Sequence, residues 1–577
     1  MAKEFLDGGD LLVKCLLKEG IAKIYGIVGG ELLRIYDAIE RWGHKEGIES
    51  VMVRHEQAAG HAADAWARAT GEIGACMGTA GPGVLHLVPA VATANADSIP
   101  MLVIGAQIAR MFDDTGILQG DLNQMDLMKP ITKLQISVEN PYEIPHAVQK
   151  AVKTAMLGRR GPVFLELRET ALVRKATSED LRKILDPERY RPIYRPIGNP
   201  KVIKDSVKVL KTSKKPLIIA GGGVNASEAF EELNKLSNVY YIPAGTTLNG
   251  IGTITTNKTF VGAKLTSNAF RRAAFEADVV ISVGCKWDYT ILYGSSPLWN
   301  QDQKIIQIDI DPKEIGKNRF IEVGIIGDAK AVINQFLVEM EKNLPKEKII
   351  EWSEWNDYLQ NVRKNDKAFI NKILNYKKLP MKPHRLAYEV LDFIPADAQL
   401  VLDGGDIFVF TMDLISLKPR PPRSTFYPVS MGHLGTGIPH AIGVQMAKPD
   451  KKVICITGDG SFMFNVQELE TAVRLNLPII IIIGNNCAWG MIKSNQKNNF
   501  GKRYCDVDFP PINYAEIARG FGCFAKKVER PEDIKFVLQQ AFDSKKPAVI
   551  DVDIAFETPP AMKLIGLYKK SKGLFGN

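Results

Sequence analysis

The sequence predicts an α/β protein built of three doubly wound parallel-sheet domains. Short runs of valine, isoleucine and leucine end in glycine-rich turns and alternate with longer helical patterns along the 577 residues. A chain of this length is too long for one compact core, and its size corresponds to about three domains. Its hydrophobic fraction of 45% and charged fraction of 24% are those of an ordinary globular protein.

The first predicted domain covers residues 1–175. Its apolar runs predict four strands, at 21–30, 49–55, 75–83 and 100–107. The charged, proline-containing segment 175–200 follows these runs and predicts a linker on the surface.

The second predicted domain covers residues 195–345 and the third covers residues 365–560. Their strand-like runs are 215–224, 277–284, 304–312, 398–406, 451–460, 477–486 and 547–554. A charged helical segment, 330–378, connects the two domains, and residues 561–577 are predicted to form a C-terminal tail. In doubly wound sheets, ligands lie outside the carboxyl ends of the strands.

The composition argues against nucleic-acid and membrane partners. The net charge of +9 is spread thinly, and no basic block alternates with aromatic residues. The longest apolar run, 477–483, is far shorter than the roughly 20 residues that span a bilayer. The seven cysteines are scattered without a CxxC pair, which is typical of a reducing compartment. We therefore expect a soluble, cytoplasmic protein.

A metal and phosphate site is predicted in GDGSFMFNVQELETAVRLNLPIIIIIGNN (458–486). Asp459 and Asn486 lie 27 positions apart, and each follows a buried-looking strand. Between them, FNVQELETAVRLN (464–476) predicts the crossover helix of one βαβ unit, which brings the two strand tips to one edge of the sheet. Carboxylate and amide oxygens there suit Mg²⁺, while Gly458, Gly460 and Ser461 allow backbone amides to face an anion. The alternative for GDG alone is a plain turn that ends in an unpaired acid.

This pattern resembles the thiamine diphosphate motif of the superfamily that contains acetolactate synthase, pyruvate decarboxylase and benzaldehyde lyase. The resemblance covers nearly the whole chain and implies pyrimidine-binding, central nucleotide-type and diphosphate-binding domains in that order. It implies that Asp459, Asn486 and the carbonyl group of Ala488 bind Mg²⁺. The further positions that it assigns to cofactor binding in these segments are Gly29, Asp406, Gly458, Gly460, Ser461, Trp489, Gly490 and Met491.

The acid that activates the cofactor is predicted in RHEQAAGHAADAWARATG (54–71), which resembles the family's RHEQ-GHAA segment. In thiamine chemistry the cofactor's own aminopyrimidine removes its C2 proton. A carboxyl group on the pyrimidine nitrogen assists this proton removal, and Glu56 is the candidate. The alternative for Glu56 is an acid favoured by the helix dipole in a first turn. The small residues at helical spacing that follow predict a tight dimer contact.

Two glycine-rich loops complete the implied cofactor site. SMGHLGTGIPHAIG (430–443) resembles the family's wedge loop, with Leu434 as the wedge that bends the cofactor and the carbonyl group of Gly432 at its amino group. The alternative for Leu434 is a core leucine. GTAGPG (78–83) resembles the loop that lines the pyrimidine from the partner chain, which implies Thr79, Gly81 and Pro82.

The substrate pocket is less definite. Segment 113–133 resembles both benzaldehyde lyase, in which the glutamine matching Gln119 faces the reacting carbonyl, and oxalyl-CoA decarboxylase. The alternative for Gln119 is a turn cap. Glu31 is either a polar group in the pocket or a helix-start acid. Trp489 is either part of the acceptor pocket or a structural tryptophan.

The arginine and tryptophan that anchor substrate in acetolactate synthases are missing, because those places are KWDYTILYG (286–294) and GMIKSNQ (490–496). Segment 287–300 instead resembles 2-hydroxyacyl-CoA lyases, and segment 556–568 resembles benzaldehyde lyase. We therefore expect a thiamine diphosphate- and Mg²⁺-dependent lyase, carboligase or decarboxylase. It would act on 2-hydroxyacyl, 2-hydroxy ketone or 2-keto acid substrates through a cofactor-bound enamine. The alternative is an acetolactate synthase catalytic subunit.

Two expectations concern what the chain binds besides a small carbonyl substrate. GGGV (221–224) and IDIDP (308–312) resemble the family's adenine nucleotide region, which implies FAD, ADP or CoA, with an empty domain as the alternative. The resemblance also implies a homodimer or a dimer of dimers, in which Glu56 of one chain serves the metal site of the other.

Overall fold

Three six-stranded parallel sheets follow one another along the chain. They are seen in a computed structural model that describes residues 6–192, 194–263, 267–560, 562 and 566. The fold class predicted from the sequence is thus confirmed. The predicted tail, 561–577, lies outside the described residues except at 562 and 566.

The first sheet has the spatial order β2-β1-β3-β4-β6-β5. Its strands are β1 Lys23–Gly26, β2 Glu49–Met52, β3 Gly74–Gly78, β4 Met101–Gln107, β5 Gln135–Val138 and β6 Pro162–Arg168. The helices of this region are α1 Gly8–Lys18, α2 Leu33–Ala38, α3 His44–Glu46, α4 Glu56–Thr70, α5 Pro82–Asp97, α6 Gln124–Met128, α7 Ile144–Met156, α8 Glu169–Val173 and α9 Ser178–Arg182.

The second sheet has the order β12-β11-β10-β7-β8-β9, which is the 3-2-1-4-5-6 arrangement of a Rossmann-type domain. Its strands are β7 Pro216–Ala220, β8 Ala244–Thr246, β9 Phe260–Gly262, β10 Val279–Val283, β11 Lys304–Asp309 and β12 Val323–Ile326. The helices are α10 Pro200–Thr212, α11 Gly222–Ser227, α12 Phe230–Val239, α13 Asn268–Glu276, α14 Ala329–Asn343, α15 Lys346–Lys364 and α16 Asp366–Leu374.

The third sheet has the order β14-β13-β15-β16-β18-β17 and therefore repeats the strand order of the first sheet. Its strands are β13 Gln399–Leu402, β14 Thr425–Phe426, β15 Val453–Gly458, β16 Ile480–Asn485, β17 Phe524–Val528 and β18 Ala548–Asp553. The helices are α17 Pro383–Phe393, α18 Asp406–Ile415, α19 Gly437–Ala447, α20 Asp459–Phe464, α21 Glu468–Arg474, α22 Gly490–Asn499, α23 Tyr514–Gly520 and α24 Ile534–Ser544.

The structure differs from the sequence prediction in two respects. The crossover helix predicted over 464–476 begins later, as α21, and the short helix α20 precedes it, because Asn465 leaves the helical conformation and its side-chain amide donates to the Gly435 carbonyl at 2.7 Å. Seven strands were not predicted, since they are very short or carry polar residues: β5, β6, β8, β9, β12, β14 and β17.

Each sheet has one switch point, where two neighbouring strands send their connections in opposite directions. These pairs are β1 with β3, β7 with β10, and β13 with β15. The crevice outside such a pair is where doubly wound domains bind ligands. The residues that follow these six strands therefore define three candidate sites.

The first and third domains meet through α4 and α19. The approach is very close, because a Cβ atom added at Gly443 would lie 2.3 Å from the carbonyl oxygen of Ala62. The alanine-rich face of α4 was predicted to form a dimer contact, whereas here it packs on α19 of the same chain. None of the helices in the described residues is long and apolar enough to cross a bilayer.

Candidate functional site

In the third domain, Asp459 and Asn486 lie together at the carboxyl ends of the paired strands β15 and β16. One Asp459 oxygen accepts from the backbone N–H groups of Asn486 at 3.2 Å and Ala488 at 3.3 Å. The other accepts from the N–H group of Gly460 at 2.8 Å. The juxtaposition predicted from the 27-residue spacing is therefore present.

A second carboxylate, that of Asp406, faces the same point. The Asn486 amide nitrogen donates to Asp406 Oδ2 at 2.7 Å, while Asn486 Oδ1 is buried without a hydrogen-bond partner among the described residues. Burial raises the pKa of Asp459 to about 6, and the nearby Asp406 contributes to the rise. Buried oxygens with unmet hydrogen-bonding capacity are the donor set of a hard cation.

The loop after β16 covers the turn after β15. A Cβ atom at Gly490 would lie 1.9 Å from Asp406 Oδ2, and one at Gly460 would lie 2.4 Å from the Trp489 ring. The Trp489 ring also packs edge-on against Phe509, with centroids 5.0 Å apart. These glycines are required because the backbone of each approaches a side chain too closely for any Cβ atom.

Other predicted cofactor residues lie around this turn. Ser461 is buried at the start of α20, and Met491 lies 3.2 Å from the position of a Gly405 Cβ atom. Gly458, the last residue of β15, has extended backbone. The Ala488 carbonyl, assigned to the metal by the resemblance, accepts from the Gly490 N–H group at 2.8 Å. Its role as a metal ligand stays a prediction.

Asp403 holds the predicted wedge loop and was missed from the sequence. Its carboxylate is buried and accepts from the N–H groups of Gly435 at 3.2 Å and Gly437 at 3.0 Å. Leu434 is half-buried in this loop, and Gly432 has a φ of 59° that favours glycine. The only sequence signal for Asp403 is its position directly after β13.

In the first domain, Glu56 is the first residue of α4. The preceding His55 caps the helix, since its Nδ1 accepts from the Gln57 N–H group at 3.2 Å. Glu56 is 8% exposed, and its Oε2 lies 2.9 Å from Nδ1 of His86 on α5. The sequence analysis did not single out His86, which lies 30 residues from Glu56.

At the switch point of the first sheet, the Glu31 side chain contacts Thr79. The Thr79 hydroxyl donates to Glu31 Oε2, and Gly29 lies so close that a Cβ atom would be 2.3 Å from Thr79 Oγ1. The Glu31 carboxylate thus contacts a loop from another strand, while Glu31 also lies in the first turn of a short helix, so both interpretations stay open.

Gln124 supports the loop 78–83, which was predicted to line the pyrimidine. This residue was not singled out from the sequence. Gln124 is fully buried, and its side-chain oxygen accepts from the Gly81 N–H group at 2.9 Å. Pro82 begins α5, and Gln119 lies against Gly81, whose added Cβ atom would be 3.2 Å from the Gln119 carbonyl oxygen. The predicted residues Gln119, Gly81 and Pro82 therefore lie together.

Glu468 connects the third domain to the Glu56 region. It is fully buried on α21, and its two oxygens accept from the backbone N–H group of Arg54 at 3.0 and 3.2 Å. Burial raises the pKa of Glu468 to about 7. A side chain of the third domain thus fixes the strand end that leads into Glu56 of the same chain.

A cavity of about 760 Å³ lies between the three domains. The glycine turn after β7 lines it, with a Gly223 Cβ atom only 2.6 Å from Gly284 after β10. Burial lowers the pKa of Arg160 and the neighbouring Arg423 lowers it further, so two cations face this space together. The arginines that line the cavity are Arg68, Arg159, Arg160, Arg191, Arg195 and Arg423.

The segment that replaces the arginine anchor has structural contacts. Trp287 is buried and packs edge-on against Trp299 with centroids 4.9 Å apart, while Lys286 donates to the Ala96 carbonyl at 2.6 Å. The Tyr289 hydroxyl donates to the Val429 carbonyl at 2.7 Å, which ties the central domain to the start of the wedge loop.

The sequence matches three protein-family descriptions over most of its length. These are the N-terminal TPP binding domain of thiamine pyrophosphate enzymes over residues 6–127, the central domain over 203–336 and the C-terminal TPP binding domain over 403–552. TPP, thiamine pyrophosphate, is another name for thiamine diphosphate.

Full-length relatives agree with these matches. A probable acetolactate synthase large subunit of Methanococcus aeolicus is 35% identical over 97% of this chain and 95% of the relative. One from Methanocaldococcus jannaschii is 33% identical over 95% and 92%, and the acetolactate synthase large subunit of Cyanidium caldarium is 32% identical over 95% and 93%. The chain therefore belongs to the thiamine diphosphate-dependent enzymes of the acetolactate synthase superfamily.

Proposed function

We propose that the chain is a thiamine diphosphate- and Mg²⁺-dependent carboligase of the acetolactate synthase type, which uses a 2-keto acid as donor. The observation that carries this proposal is the full-length similarity to proteins named acetolactate synthase large subunit. The sequence analysis placed a lyase first and this activity second, and the relatives reverse that order.

The residues of the third domain fit the metal and the diphosphate. Asp459 and Asn486 Oδ1, which is buried and has no hydrogen-bond partner in the described part of the chain, would supply oxygen ligands for Mg²⁺. The N–H groups at the start of α20, after Gly458, favour the negative charge of a diphosphate. When bound, thiamine diphosphate supplies a carbon nucleophile that adds to carbonyl groups and stores the electron pair of the broken C–C bond.

The residues of the first domain handle protons and orient the substrate. Glu56, held in a mostly buried position, would share a proton with the pyrimidine nitrogen of the cofactor. Glu31 and Gln119 contact the loop 78–83 and would supply polar contacts to the reacting carbonyl. From the third domain, Leu434 would supply an apolar contact to the cofactor.

A second candidate is a lyase or carboligase that acts on 2-hydroxyacyl thioesters or 2-hydroxy ketones. It is favoured by the missing anchors, because segments 286–294 and 490–496 lack the expected arginine and tryptophan. In addition, the Glu31 carboxylate disfavours a second anionic substrate near it through like-charge repulsion. The two candidates share the cofactor and differ in the acceptor.

Product analysis of one purified preparation separates the two candidates. The protein, supplied with thiamine diphosphate and Mg²⁺, is incubated with pyruvate, and acetolactate and carbon dioxide are measured. A parallel reaction with a 2-hydroxyacyl-CoA thioester or an aromatic 2-hydroxy ketone is assayed for released aldehyde. Acetolactate formation supports the first candidate, whereas aldehyde release without acetolactate would replace it with the second.

The central cavity takes an adenine nucleotide in this proposal. Its glycine turn lies at the switch point of a 3-2-1-4-5-6 sheet, and Arg160 and Arg423 provide positive charge for a diphosphate group. Mass spectrometry of the molecules released on denaturation distinguishes FAD, ADP and CoA. FAD bound at one per chain would favour the acetolactate synthase assignment, and release of no nucleotide would contradict this part of the proposal.

Each active site is shared between two chains in this proposal. Exposed apolar side chains lie on the first-domain loops, at Val28 and Leu118, and near the third-domain loops, at Met431 and Ile492, so both half-sites have surfaces suited to burial in a dimer. Mixed dimers of Glu56→Gln and Asp459→Ala chains test this arrangement. With shared sites, a hybrid contains one intact site and activity returns; a hybrid that stays inactive after verified exchange would contradict it.

A further inference from the structure

We propose that His86 is a positioning residue for Glu56 and holds its carboxyl group in the orientation in which the proton passes to and from the cofactor. This inference rests on the proposed role of Glu56. The contact that carries it is the 2.9 Å distance between His86 Nδ1 and Glu56 Oε2.

Glu56 and His86 lie on two helices that pack closely. Glu56 begins α4, while His86 lies one turn into α5, directly after the loop 78–83. The backbones of the two helices approach closely, because a Cβ atom at Gly60 would lie 2.4 Å from Cβ of Ala90. Helix packing therefore sets the spacing between the backbones of Glu56 and His86, and the half-exposed His86 side chain reaches the carboxyl group from α5.

The imidazole ring of His86 also contacts a second side chain, that of His55. The His55 ring lies against it, with centroids 4.5 Å apart and an interplanar angle of 33°. His55 is itself fixed, because its Nδ1 accepts from the Gln57 N–H group at 3.2 Å. A further titratable neighbour of Glu56 is Tyr36, whose pKa is raised by burial and then by the Glu56 carboxylate.

The geometry defines what His86 does for the carboxyl group. When Glu56 is ionised, the Nδ1–H group of His86 donates to Oε2, and this bond orients the second oxygen. When Glu56 has received a proton, His86 still holds the same oxygen. The proton itself moves between Glu56 and the cofactor nitrogen, so His86 affects the rate through orientation and undergoes no net change.

The test measures exchange of the cofactor C2 hydrogen with deuterium in the loaded protein, by quenching and NMR. This reaction needs no substrate, so it is independent of whether acetolactate is the product. We expect His86→Ala to slow exchange about 10- to 100-fold, the range for loss of a hydrogen bond to a charged group. His86→Asn should restore most of the rate, because its side-chain nitrogen occupies the place of Nδ1.

A double-mutant cycle separates positioning from a general structural effect. If His86 acts through Glu56, His86→Ala causes no further slowing in a Glu56→Gln background. Equal slowing in both backgrounds, or failure of His86→Asn to recover the rate, would overturn the proposal. If Glu56→Gln itself leaves exchange unchanged, the role of Glu56 is wrong and the proposal fails with it.

Two measurements on the protein do not depend on catalysis. With ¹³C-labelled histidine rings, the His86 signal, assigned from its loss in His86→Asn, should shift when Glu56→Gln is introduced into the cofactor-free chain. Cofactor affinity by calorimetry should change less than about twofold in His86→Ala. The matched control is His146→Asn, at an exposed position on α7, which should change neither the exchange rate nor the His86 signal. An unmoved His86 signal would contradict the contact.

Discussion

The first and third domains have the same strand order but hold their functional acids in different ways. In the third domain, Asp459 and Asp403 accept mainly from backbone N–H groups. In the first domain, Glu56 and Glu31 are bound by the side chains of His86 and Thr79. Backbone donors keep their protons and therefore suit acids that stay in one charge state, whereas side-chain partners allow a proton to be shared.

In these two domains, strand order and the residues that follow the strands decide different properties. The shared order, with its switch points at β1 with β3 and β13 with β15, places a candidate ligand crevice at the same position in each domain. The residues that follow those strands determine the chemistry. Variants in the two half-sites should therefore fail in different ways.

The largest effect is expected for Asp459→Ala. Without this carboxylate the oxygen set around Asn486 keeps only the Asp406 carboxylate, so Mg²⁺ and thiamine diphosphate should be lost together, with affinity reduced by more than about 100-fold. Calorimetric titration of the purified variant with cofactor and Mg²⁺ measures this loss. Retention of normal cofactor affinity would remove the metal role from Asp459.

The next effect is that of Glu56→Gln, in the opposite half-site. The shape is kept but the shared proton is removed, so the rate should fall about 10²- to 10⁴-fold while cofactor affinity stays close to normal. Steady-state kinetics and calorimetry on the same sample provide both values. Loss of the cofactor together with activity, as expected for Asp459→Ala, would contradict the proposal that the third domain binds the metal and the first domain transfers the proton.

Glu468→Gln tests the link between the two domains through its pH dependence. Because the folded state raises the pKa of Glu468 from 4.5 to about 7, the protonated form favours folding. This contribution is complete below about pH 4.5 and is lost as the pH rises through 7, which lowers the free energy of unfolding by about 3 kcal/mol.

Glutamine resembles the protonated acid, so Glu468→Gln should match the wild type near pH 5 and exceed its stability near pH 8. Denaturant midpoints at the two pH values measure the difference. A variant that is less stable than the wild type at pH 8 would show that the ionised carboxylate is the favourable form.

The smallest effect is expected at the helix contact between the domains. Gly443→Ala places a methyl group 2.3 Å from the Ala62 carbonyl oxygen, and the resulting overpacking should destabilise the protein by about 1–3 kcal/mol. The matched control is Gly520→Ala at the end of α23, where no atom lies within 4 Å of the added group. Thermal melting compares the two, and equal melting temperatures would mean that the α4–α19 contact can relax.

The sequence was informative where a signal is local and failed where it depends on packing. Central strands such as β16 were predicted because isoleucine dominates them, whereas β17 was missed because Lys526 and Lys527 hide its pattern. Glu56, Asp459 and Asn486 were singled out because each follows a strand in a spaced motif, and their roles stay predictions.

The supporting residues lacked such a signal. Asp403 contacts Gly435 from 32 residues away, and Glu468 contacts Arg54 from 414 residues away. Only the folded arrangement of the domains brings these pairs together. His86 was missed for the same reason, because a helix sequence does not indicate which carboxyl group an exposed histidine contacts.

The cavity between the domains also has a consequence for the integrity of the chain. Its wall combines Arg68 of the first domain, Gly222 of the second and Arg423 of the third, so a ligand bound there would contact all three domains. Such a ligand would stabilise their docked arrangement by about 2.7 kcal/mol when its concentration is 100 times its dissociation constant. Without a bound ligand, the protein should be cut more readily by proteases in the connecting segments.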